Sequence, residues 1–393
     1  MLEEVTFGTC ILKVTSFCNL NCSYCYMFNK DDQTYKVVPK YLDIETLNSV
    51  LDLCEQSAER RDGHFCLVLH GGEPTLWPVE SFRFLAERVA DIQSRHPEFE
   101  VSLQTNLLRP LPVGLIESLR KMRCKIGVSC DGPALWNDQH RYDHAGRGSY
   151  NRIMQNIAKL EREGHGDLIG GFLCVANPDI EPLSFFEWIQ QLPAKRLDIL
   201  WPIDFYQESP PWADGERDVY ARLPKYGRWM SELYALWWEN DDPEIDIRQF
   251  RSTLNVRLGG VGHIDSLVND QLDMFVINTD GRIEYPDYLR ATPAGSRATQ
   301  LNVRTCSLED IAADSIYAQL FELRAHLPSA CHHCRHRRLC GGGFLPGRAS
   351  ASQPISNERS VLCADQYHYF STVERLLQQA MTIGHQDLRR GAV

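Results

Sequence analysis

The sequence lacks the features that would tie the protein to a membrane, to export or to a nucleic acid. It contains no run of about 18 apolar residues, and its first residues, MLEEVTFGTC, are acidic where a signal peptide would be basic and then apolar. The net charge is −11, so the positive excess that binds phosphate backbones or anionic lipids is also missing. We expect a cytoplasmic protein with neither a nucleic-acid nor a membrane partner.

The chain also lacks internal repeats and low-complexity tracts, whereas cysteine is abundant, with 14 among 393 residues. Without an export signal a disulfide framework is not expected, so metal ligation better explains cysteines that cluster. Seven cysteines fall into two clusters. The other seven are interpreted as small buried apolar side chains: Cys10, Cys54, Cys66, Cys124, Cys130, Cys174 and Cys306.

The first cluster is a C-x3-C-x2-C segment formed by Cys18, Cys22 and Cys25. Thiolates are the ligands of iron–sulfur clusters, and three thiolates on a cubane of four irons leave one iron open to a substrate or cofactor. The alternatives are a zinc knuckle or three unrelated cysteines. A closed zinc site would need a fourth ligand, which no neighbouring residue supplies.

Short β-branched segments alternate with longer amphipathic segments in the N-terminal half of the chain. This alternation predicts an α/β fold with a parallel sheet and right-handed crossovers. The predicted strands are Ile11–Ser16, Phe65–His70, Glu100–Gln104, Lys125–Ser129, Ile169–Val175 and Leu197–Ile203. The predicted helices are Ile44–Arg60, Val79–Arg95, Leu115–Met122, Tyr150–Glu163 and Pro182–Gln191.

The alternation ends near residue 204, which suggests three segments: 1–204, a helical connection over 205–271, and 272–393. In the connection Trp229, Trp237 and Trp238 follow a helical pattern. This pattern predicts a helix packed on the sheet or, alternatively, a surface for a peptide partner. The third segment opens with a predicted hairpin, Phe275–Asn278 and Ile283–Tyr285, around an Asp-Gly turn.

The second cysteine cluster lies in the third segment. It consists of Cys331, Cys334, Cys340 and, further on, Cys363. Four thiolates suit either a closed zinc site or a fully ligated 4Fe–4S cluster, and the spacing alone does not separate the two.

Cys18, Cys22 and Cys25, with Tyr24 between the last two and the HGGEP segment at His70–Pro74, resemble the radical S-adenosylmethionine (SAM) superfamily. The resemblance implies a partial (β/α)6 TIM-type barrel, a 4Fe–4S cluster on the three cysteines, and SAM bound to the open iron. Reductive cleavage of SAM would give a 5′-deoxyadenosyl radical that abstracts hydrogen from an unactivated carbon. The SAM contacts that it implies are Tyr24, Gly72, Glu73, Ser129 and Arg141.

The second cysteine cluster, followed by three glycines, resembles the SPASM extension of radical SAM enzymes that modify peptides. The resemblance implies a C-terminal SPASM-like iron–sulfur domain with one auxiliary 4Fe–4S cluster, which favours iron over zinc there. Two further positions that hold cysteine in a full SPASM domain are Pro286 and Phe344 here, so a second auxiliary cluster is not expected.

Asp287 follows the predicted hairpin at the position where the similar sulfatase maturases keep a catalytic base. Completing an oxidation after hydrogen abstraction requires loss of a proton and an electron, and a buried carboxylate can take the proton. Asp287 is therefore a candidate catalytic residue. The alternative is a structural carboxylate that caps the hairpin or pairs with Arg290.

The sequence is most similar to maturases that cross-link side chains of a ribosomally made precursor peptide, aromatic carbon to unactivated Cβ, giving a cyclophane. Such an enzyme needs the precursor peptide and an external electron donor of the flavodoxin or ferredoxin type. Leader recognition would then use the barrel, residues 205–262 or another protein. The alternatives are a formylglycine-generating sulfatase maturase, a thioether- or epimer-forming peptide maturase, and a non-catalytic metal scaffold.

Overall fold

The alternation of strands and helices is laid out in a computed structural model. It describes residues 6–390 except 31, 203–223, 263, 265, 268–272, 292–297 and 349–357. Among the helices in these ranges, none is both long enough and apolar enough to cross a membrane.

The strands of the described residues form one ten-stranded sheet. It consists of β1 (Thr9–Thr15), β2 (Phe65–Gly71), β3 (Phe99–Thr105), β4 (Lys125–Ser129), β5 (Ile169–Val175), β6 (Arg196–Leu200), β7 (Asp246–Ile247), β8 (Met274–Ile277), β9 (Arg282–Glu284) and β10 (Ala298–Asn302). The order across the sheet is β10-β9-β8-β1-β2-β3-β4-β5-β6-β7. Strands β1 to β6 pair in sequence and in parallel, which confirms the predicted α/β fold with a parallel sheet of the TIM-like type.

Helices connect the parallel strands and cover the sheet. They are α1 (Ile44–Glu59), α2 (Val79–Arg95), α3 (Val113–Lys121), α4 (Ala134–His140), α5 (Tyr150–Arg162), α6 (Pro182–Gln191), α7 (Lys225–Asn240), α8 (Arg248–Arg257), α9 (Leu308–Ala313), α10 (Ser315–Ala325), α11 (Arg337–Cys340) and α12 (Cys363–Arg390). The local sequence fixes where several of these helices begin. For example, the Asp43 carboxylate accepts a hydrogen bond from the Thr46 amide at 2.8 Å and caps α1.

The six predicted strands and five predicted helices are all confirmed, with small shifts at their ends. The largest shift concerns the sixth strand, which ends at Leu200, and its predicted end at Ile203 lies outside the described residues. The strands could be predicted from the sequence because buried residues alternate with less buried ones along β2 and β3.

The tryptophan pattern after the barrel forms a helix that packs into the core, as the first of its two interpretations predicts. Trp229 of α7 is buried and donates from Nε1 to the carbonyl of Ile180 at 2.8 Å. Trp237 likewise donates to the carbonyl of Ile245 at 2.8 Å. Much of the connecting segment, residues 203–223, lies outside the described residues.

The predicted hairpin is confirmed, but it does not stand apart from the barrel. Strand β8 pairs in parallel with β1, and β9 returns antiparallel along β8. Gly281 occupies the turn with φ +79°, a conformation that favours glycine. The hairpin therefore extends the barrel sheet, while the division of the chain at residues 204 and 271 stays a prediction.

Candidate active site

A cavity of about 610 Å³ opens at the carboxyl ends of the parallel strands. Residues at or just after the ends of β1 to β6 form the wall of this cavity. The wall continues to the start of α7, at Lys225 and Tyr226. Carboxyl ends of parallel strands are where α/β barrels place their chemistry. The predicted positions Cys18, Cys22, Cys25, Tyr24, Gly72, Glu73, Ser129 and Arg141 all line this one cavity.

The three cysteines of the loop after β1 pack together at the cavity wall. Cys22 is buried, and Cys18 and Cys25 lie against the same small apolar cluster. The Cys18 thiol receives hydrogen bonds from the Leu20 amide at 3.4 Å and from Asn106 Nδ2 at 3.5 Å. Burial raises the pKa of the Cys22 thiol to about 11 and also raises that of Cys25. Such thiols ionise when a bound cation compensates their charge.

Two glycines allow the end of β2 to lie directly against this loop. A Cβ on Gly72 would overlap the carbonyl oxygen of Phe17, the residue before Cys18, and a Cβ on Gly71 would overlap that of Thr15. Gly71 also has φ +122°. The Gly72 amide donates to the Thr15 carbonyl at 3.0 Å and the Glu73 amide to the Phe17 carbonyl at 3.0 Å. Glycine is therefore required here because two backbones touch.

Glu73 lines the cavity, but its carboxylate is already engaged with the chain. Oε1 accepts from the Thr75 amide at 3.0 Å and from the Thr105 hydroxyl at 2.5 Å, and Oε2 accepts from the Asn106 amide at 2.8 Å. The residue is 1% exposed. Glu73 thus joins the ends of β2 and β3, a positioning role that the sequence did not show, and its predicted contact with SAM stays a prediction.

Tyr24 and Arg141 form a buried polar group beside the cysteine loop. The Tyr24 hydroxyl donates to the Asp131 carboxylate and accepts from Arg141 Nη1 at 2.8 Å. Arg141 Nε is buried and has no hydrogen-bond partner among the described residues. An unpaired donor at a cavity wall suits an anionic ligand group such as a carboxylate. Ser129 lies nearby and accepts from Gln104 Nε2 at 2.8 Å.

Comparison with known proteins agrees with this geometry. Residues 12–181 match the model of the radical SAM superfamily. The chain contains a radical SAM domain. It is accordingly a radical SAM enzyme, and this family implies a 4Fe–4S cluster and SAM. The three thiols of the loop and the unpaired Arg141 Nε fit such a cofactor pair.

Over nearly its whole length this radical SAM enzyme is similar to sulfatase-maturating enzymes. A cysteine-type anaerobic sulfatase-maturating enzyme of Clostridium perfringens is 23% identical over 95% of this chain and 98% of the relative. A serine-type enzyme of Bacteroides thetaiotaomicron is 23% identical over 92% and 87%. Among solved structures, native anSMEcpe with bound AdoMet matches with a TM-score of 0.76 at 20% identity, covering 95% of this chain and 99% of that one.

Asp287 is held by several partners within the fold, and its role as a catalytic base stays a prediction. Its Oδ1 accepts from Lys13 Nζ at 2.5 Å and lies 3.2 Å from Arg290 Nε, and its Oδ2 accepts from the Tyr26 hydroxyl at 3.3 Å. Although burial alone would raise it, the cations Lys13 and Arg290 lower the pKa of Asp287 to about 2. With these partners in place the carboxylate is ionised at neutral pH. The structural alternative, with Arg290 as a partner, is the arrangement observed.

The cations around Asp287 belong to a larger buried ion-pair network. Lys13 Nζ also contacts Glu284 Oε2 at 2.6 Å, and Arg290 pairs with both Glu284 and Asp32. The side chains of Lys13, Glu284 and Asp32 are 0% exposed. The network connects β1, β9 and the turn at Asp287–Ala291.

The four cysteines of the second cluster surround a common small cavity of about 20 Å³. Arg337 and Arg359 line it as well, and burial raises the pKa of the Cys363 thiol to about 12. In the part of the chain that is described, no three His, Cys, Asp or Glu side chains approach closely enough to share one metal ion. Sulfurs on a single zinc would be about 3.8 Å apart, because each Zn–S bond is about 2.3 Å. Whether this second site holds zinc or an iron–sulfur cluster stays a prediction.

Several cavity residues were not singled out from the sequence. His70 and Tyr26 line the cavity. From the sequence, Lys13 was predicted only to lie within the strand Ile11–Ser16, with no role at the site. The one available signal was the position of His70, directly before two glycines at the end of a strand.

Proposed function

We propose that this radical SAM enzyme modifies a ribosomally made precursor peptide by oxidatively cross-linking an aromatic side chain to an unactivated Cβ. The observation that carries the proposal is the shape and lining of the cavity. One side consists of the cysteine loop and polar strand ends, and the cavity then continues to the ends of β5 and β6. A cavity of this size accommodates more than the reacting atoms, so a peptide segment fits beside the cofactor.

The cavity lining favours an aromatic substrate side chain. Six aromatic residues contribute to the wall: Tyr24, Tyr26, Phe28, Trp136, Trp201 and Tyr226. Aromatic rings prefer edge-to-face or offset contacts with one another, which orient a bound ring as well as desolvating it. A bound tyrosine, tryptophan or phenylalanine would therefore be held in a limited set of orientations.

In this proposal Cys18, Cys22 and Cys25 hold the 4Fe–4S cluster, and Arg141 holds the SAM carboxylate. When bound, the cluster and SAM supply hydrogen-atom abstraction from an unactivated carbon, with electrons from a flavodoxin- or ferredoxin-type donor. Tyr24 keeps Arg141 in place, while Glu73 and Gly72 keep the ends of β2 and β3 against the cysteine loop. The wall restricts water around the reacting side chains.

We also propose that Cys331, Cys334, Cys340 and Cys363 hold one auxiliary 4Fe–4S cluster that accepts the electron released on oxidation. The SPASM resemblance assigns further thiolates to positions 286 and 344, but Pro286 is buried and the Phe344 ring packs on Tyr288 with centroids 5.5 Å apart. Apolar side chains therefore occupy the two positions where a second auxiliary cluster would need cysteines. Two clusters correspond to about eight irons, and three to about twelve.

The second candidate is formylglycine formation on a sulfatase, which the names of the relatives support. Both reactions are two-electron oxidations of a peptide, so they differ in the product. A cross-link joins two residues and leaves no aldehyde, whereas formylglycine reacts with hydroxylamine.

The test is co-expression with small open reading frames encoded beside this gene, followed by mass spectrometry of each peptide. We expect a peptide that loses two hydrogens, does not react with hydroxylamine, and shows no fragment ions between the two joined residues. A product that gives an oxime would support the sulfatase-maturing alternative. An unchanged peptide, despite SAM cleavage by the same preparation, would refute both.

Matched cysteine variants check the cofactor assignments. Cys18→Ala is expected to abolish 5′-deoxyadenosine formation, and Cys340→Ala to retain it while losing product. Cys306→Ala is the control, since this partly buried thiol lies outside both clusters and should retain both activities and about eight irons. Full product from Cys340→Ala would remove the auxiliary cluster from the reaction.

A further inference from the structure

His70 is a partly buried histidine in the cavity wall whose ring makes no hydrogen bond to the described residues. It is the penultimate residue of β2, directly before the glycines that contact the cysteine loop, and its side chain lines the cavity. Its Nδ1 is shielded from solvent and has no hydrogen-bond partner among the described residues, so a group in the cavity would meet the ring through Nε2. Buried polar atoms without a partner are rare, and at a cavity wall they indicate a ligand or a reacting group.

The surroundings of His70 keep the ring neutral. Burial lowers the pKa of His70 below its ordinary value, and the positive charges of Lys13 and Arg290 act in the same direction. The Asp287 carboxylate opposes them, and Tyr26, which donates to Asp287, is a further titratable group at this wall. The imidazole therefore carries a free lone pair at neutral pH.

Asp287 is a weaker candidate for the same task. Its carboxylate already accepts hydrogen bonds from Lys13 Nζ and the Tyr26 hydroxyl and pairs with Arg290. It is also absent from the residues that line the cavity. A proton leaving a substrate in the cavity meets the imidazole and not this carboxylate.

We propose that His70 is a catalytic residue that accepts the proton released when the peptide is oxidised. The inference rests on the proposed function and deepens it. In the balanced step the peptide loses its Cβ–H and one ring C–H, and a carbon–carbon bond forms between these positions. The Cβ hydrogen leaves as an atom to the SAM-derived radical. The ring hydrogen leaves as a proton to His70, and the cluster that Cys331, Cys334, Cys340 and Cys363 would hold would supply the acceptor for the remaining electron.

The test compares His70→Gln with wild type in the reconstituted enzyme, using SAM, dithionite and the peptide that wild type modifies. Peptide labelled with deuterium at Cβ should still transfer deuterium to 5′-deoxyadenosine, because hydrogen abstraction does not need the imidazole. The yield of cross-linked product per 5′-deoxyadenosine should fall by about 100-fold, the lower range for loss of a general base. His64→Gln is the matched control, since His64 is exposed and precedes β2 at its opposite end.

Two further readouts separate proton transfer from a structural role. Imidazole added to His70→Ala should restore part of the product yield, and the wild-type rate should fall only below about pH 6.5, the ordinary pKa of histidine. Asp287→Asn should shift this acid limb to lower pH, because it removes the anion that stabilises the imidazolium.

The outcomes are distinguishable. Full product from His70→Gln, or loss of deuterium transfer in parallel with product, overturns the inference and leaves the proposed function intact. Failure of wild type to modify any peptide while it cleaves SAM overturns the proposed function, and the inference with it.

Discussion

Replacing Lys13 by methionine tests whether the buried ion-pair network stabilises the fold around the cysteine loop. Lys13 is 0% exposed, and its ammonium lies 2.6 Å from Glu284 and 2.5 Å from Asp287. Methionine fills similar space but leaves Arg290 as the remaining cation between Glu284 and Asp287. Breaking a buried pair by removing one partner costs about 3–5 kcal/mol, because the other charge is left buried.

The cost translates into a measurable shift in melting temperature. With an unfolding entropy of about 2.1 cal/mol/K per residue, the 393 residues give about 0.8 kcal/mol per degree. A loss of 3–5 kcal/mol therefore lowers Tm by about 4–6 °C. Differential scanning calorimetry under anaerobic conditions measures this shift, at a fixed scan rate and with matched iron content.

Two further variants control for the interpretation. Arg83→Met breaks an exposed pair with Glu80 and should lower Tm by less than about 1 °C, because exposed pairs contribute little. The double variant Lys13→Met, Glu284→Gln removes one cation and one carboxylate together and should recover part of the loss. A Lys13→Met protein that melts within about 1 °C of wild type, with unchanged iron, would refute the claim that the network stabilises this region.

Three other predictions concern the same cavity. Gly72→Ala forces Cβ against the Phe17 carbonyl and should reduce iron loading of the first cluster, measured by iron content and absorbance. Gly164→Ala strains the backbone at φ +76° but places Cβ within 4 Å of no atom, and it should load normally. The pKa of Asp287 is lowered to about 2, so its contribution to stability is present above about pH 4 and lost as pH falls towards 2. The Tm difference between wild type and Asp287→Asn should therefore shrink below pH 4, and a constant difference would contradict the pairing. Tyr24→Phe removes the hydroxyl that accepts a hydrogen bond from Arg141, so it should weaken SAM binding, measured by calorimetric titration. Formation of 5′-deoxyadenosine at saturating SAM should be retained. An unchanged affinity for SAM would show that Tyr24 does not position Arg141.

Much of the fold could be predicted because it depends on local periodicity. Strands such as Lys125–Ser129 and helices such as Val79–Arg95 have the predicted bounds, since their buried faces repeat with the period of the element. The cysteine loop could be identified because its ligands lie within eight residues of one another in the sequence. The sequence period does not show which strands pair, so the parallel contact of β8 with β1 was not predicted.

The site was predicted less well wherever a residue's chemistry depends on distant neighbours. Asp287 was predicted to be a base from its position after the hairpin, which could not show that its carboxylate pairs with Lys13, 274 residues earlier in the sequence. Glu73 was assigned to SAM from its motif, but its carboxylate holds the end of β3. In both cases the sequence could not show the hydrogen bonds of the fold, which determine what the residue can do.

The ion-pair network also explains how this wall tolerates a charge that appears only during the reaction. Within the described residues, Lys13 and Arg290 supply two positive charges, and Asp32, Glu284 and Asp287 supply three negative charges. The network therefore carries one net negative charge while His70 is neutral. When His70 accepts a proton, the imidazolium and the network together are neutral, so the proton is received by a wall already charged to stabilise it. Lys13→Met would make the network still more negative and should raise the pH at which the acid limb of the reaction begins, the opposite direction from Asp287→Asn.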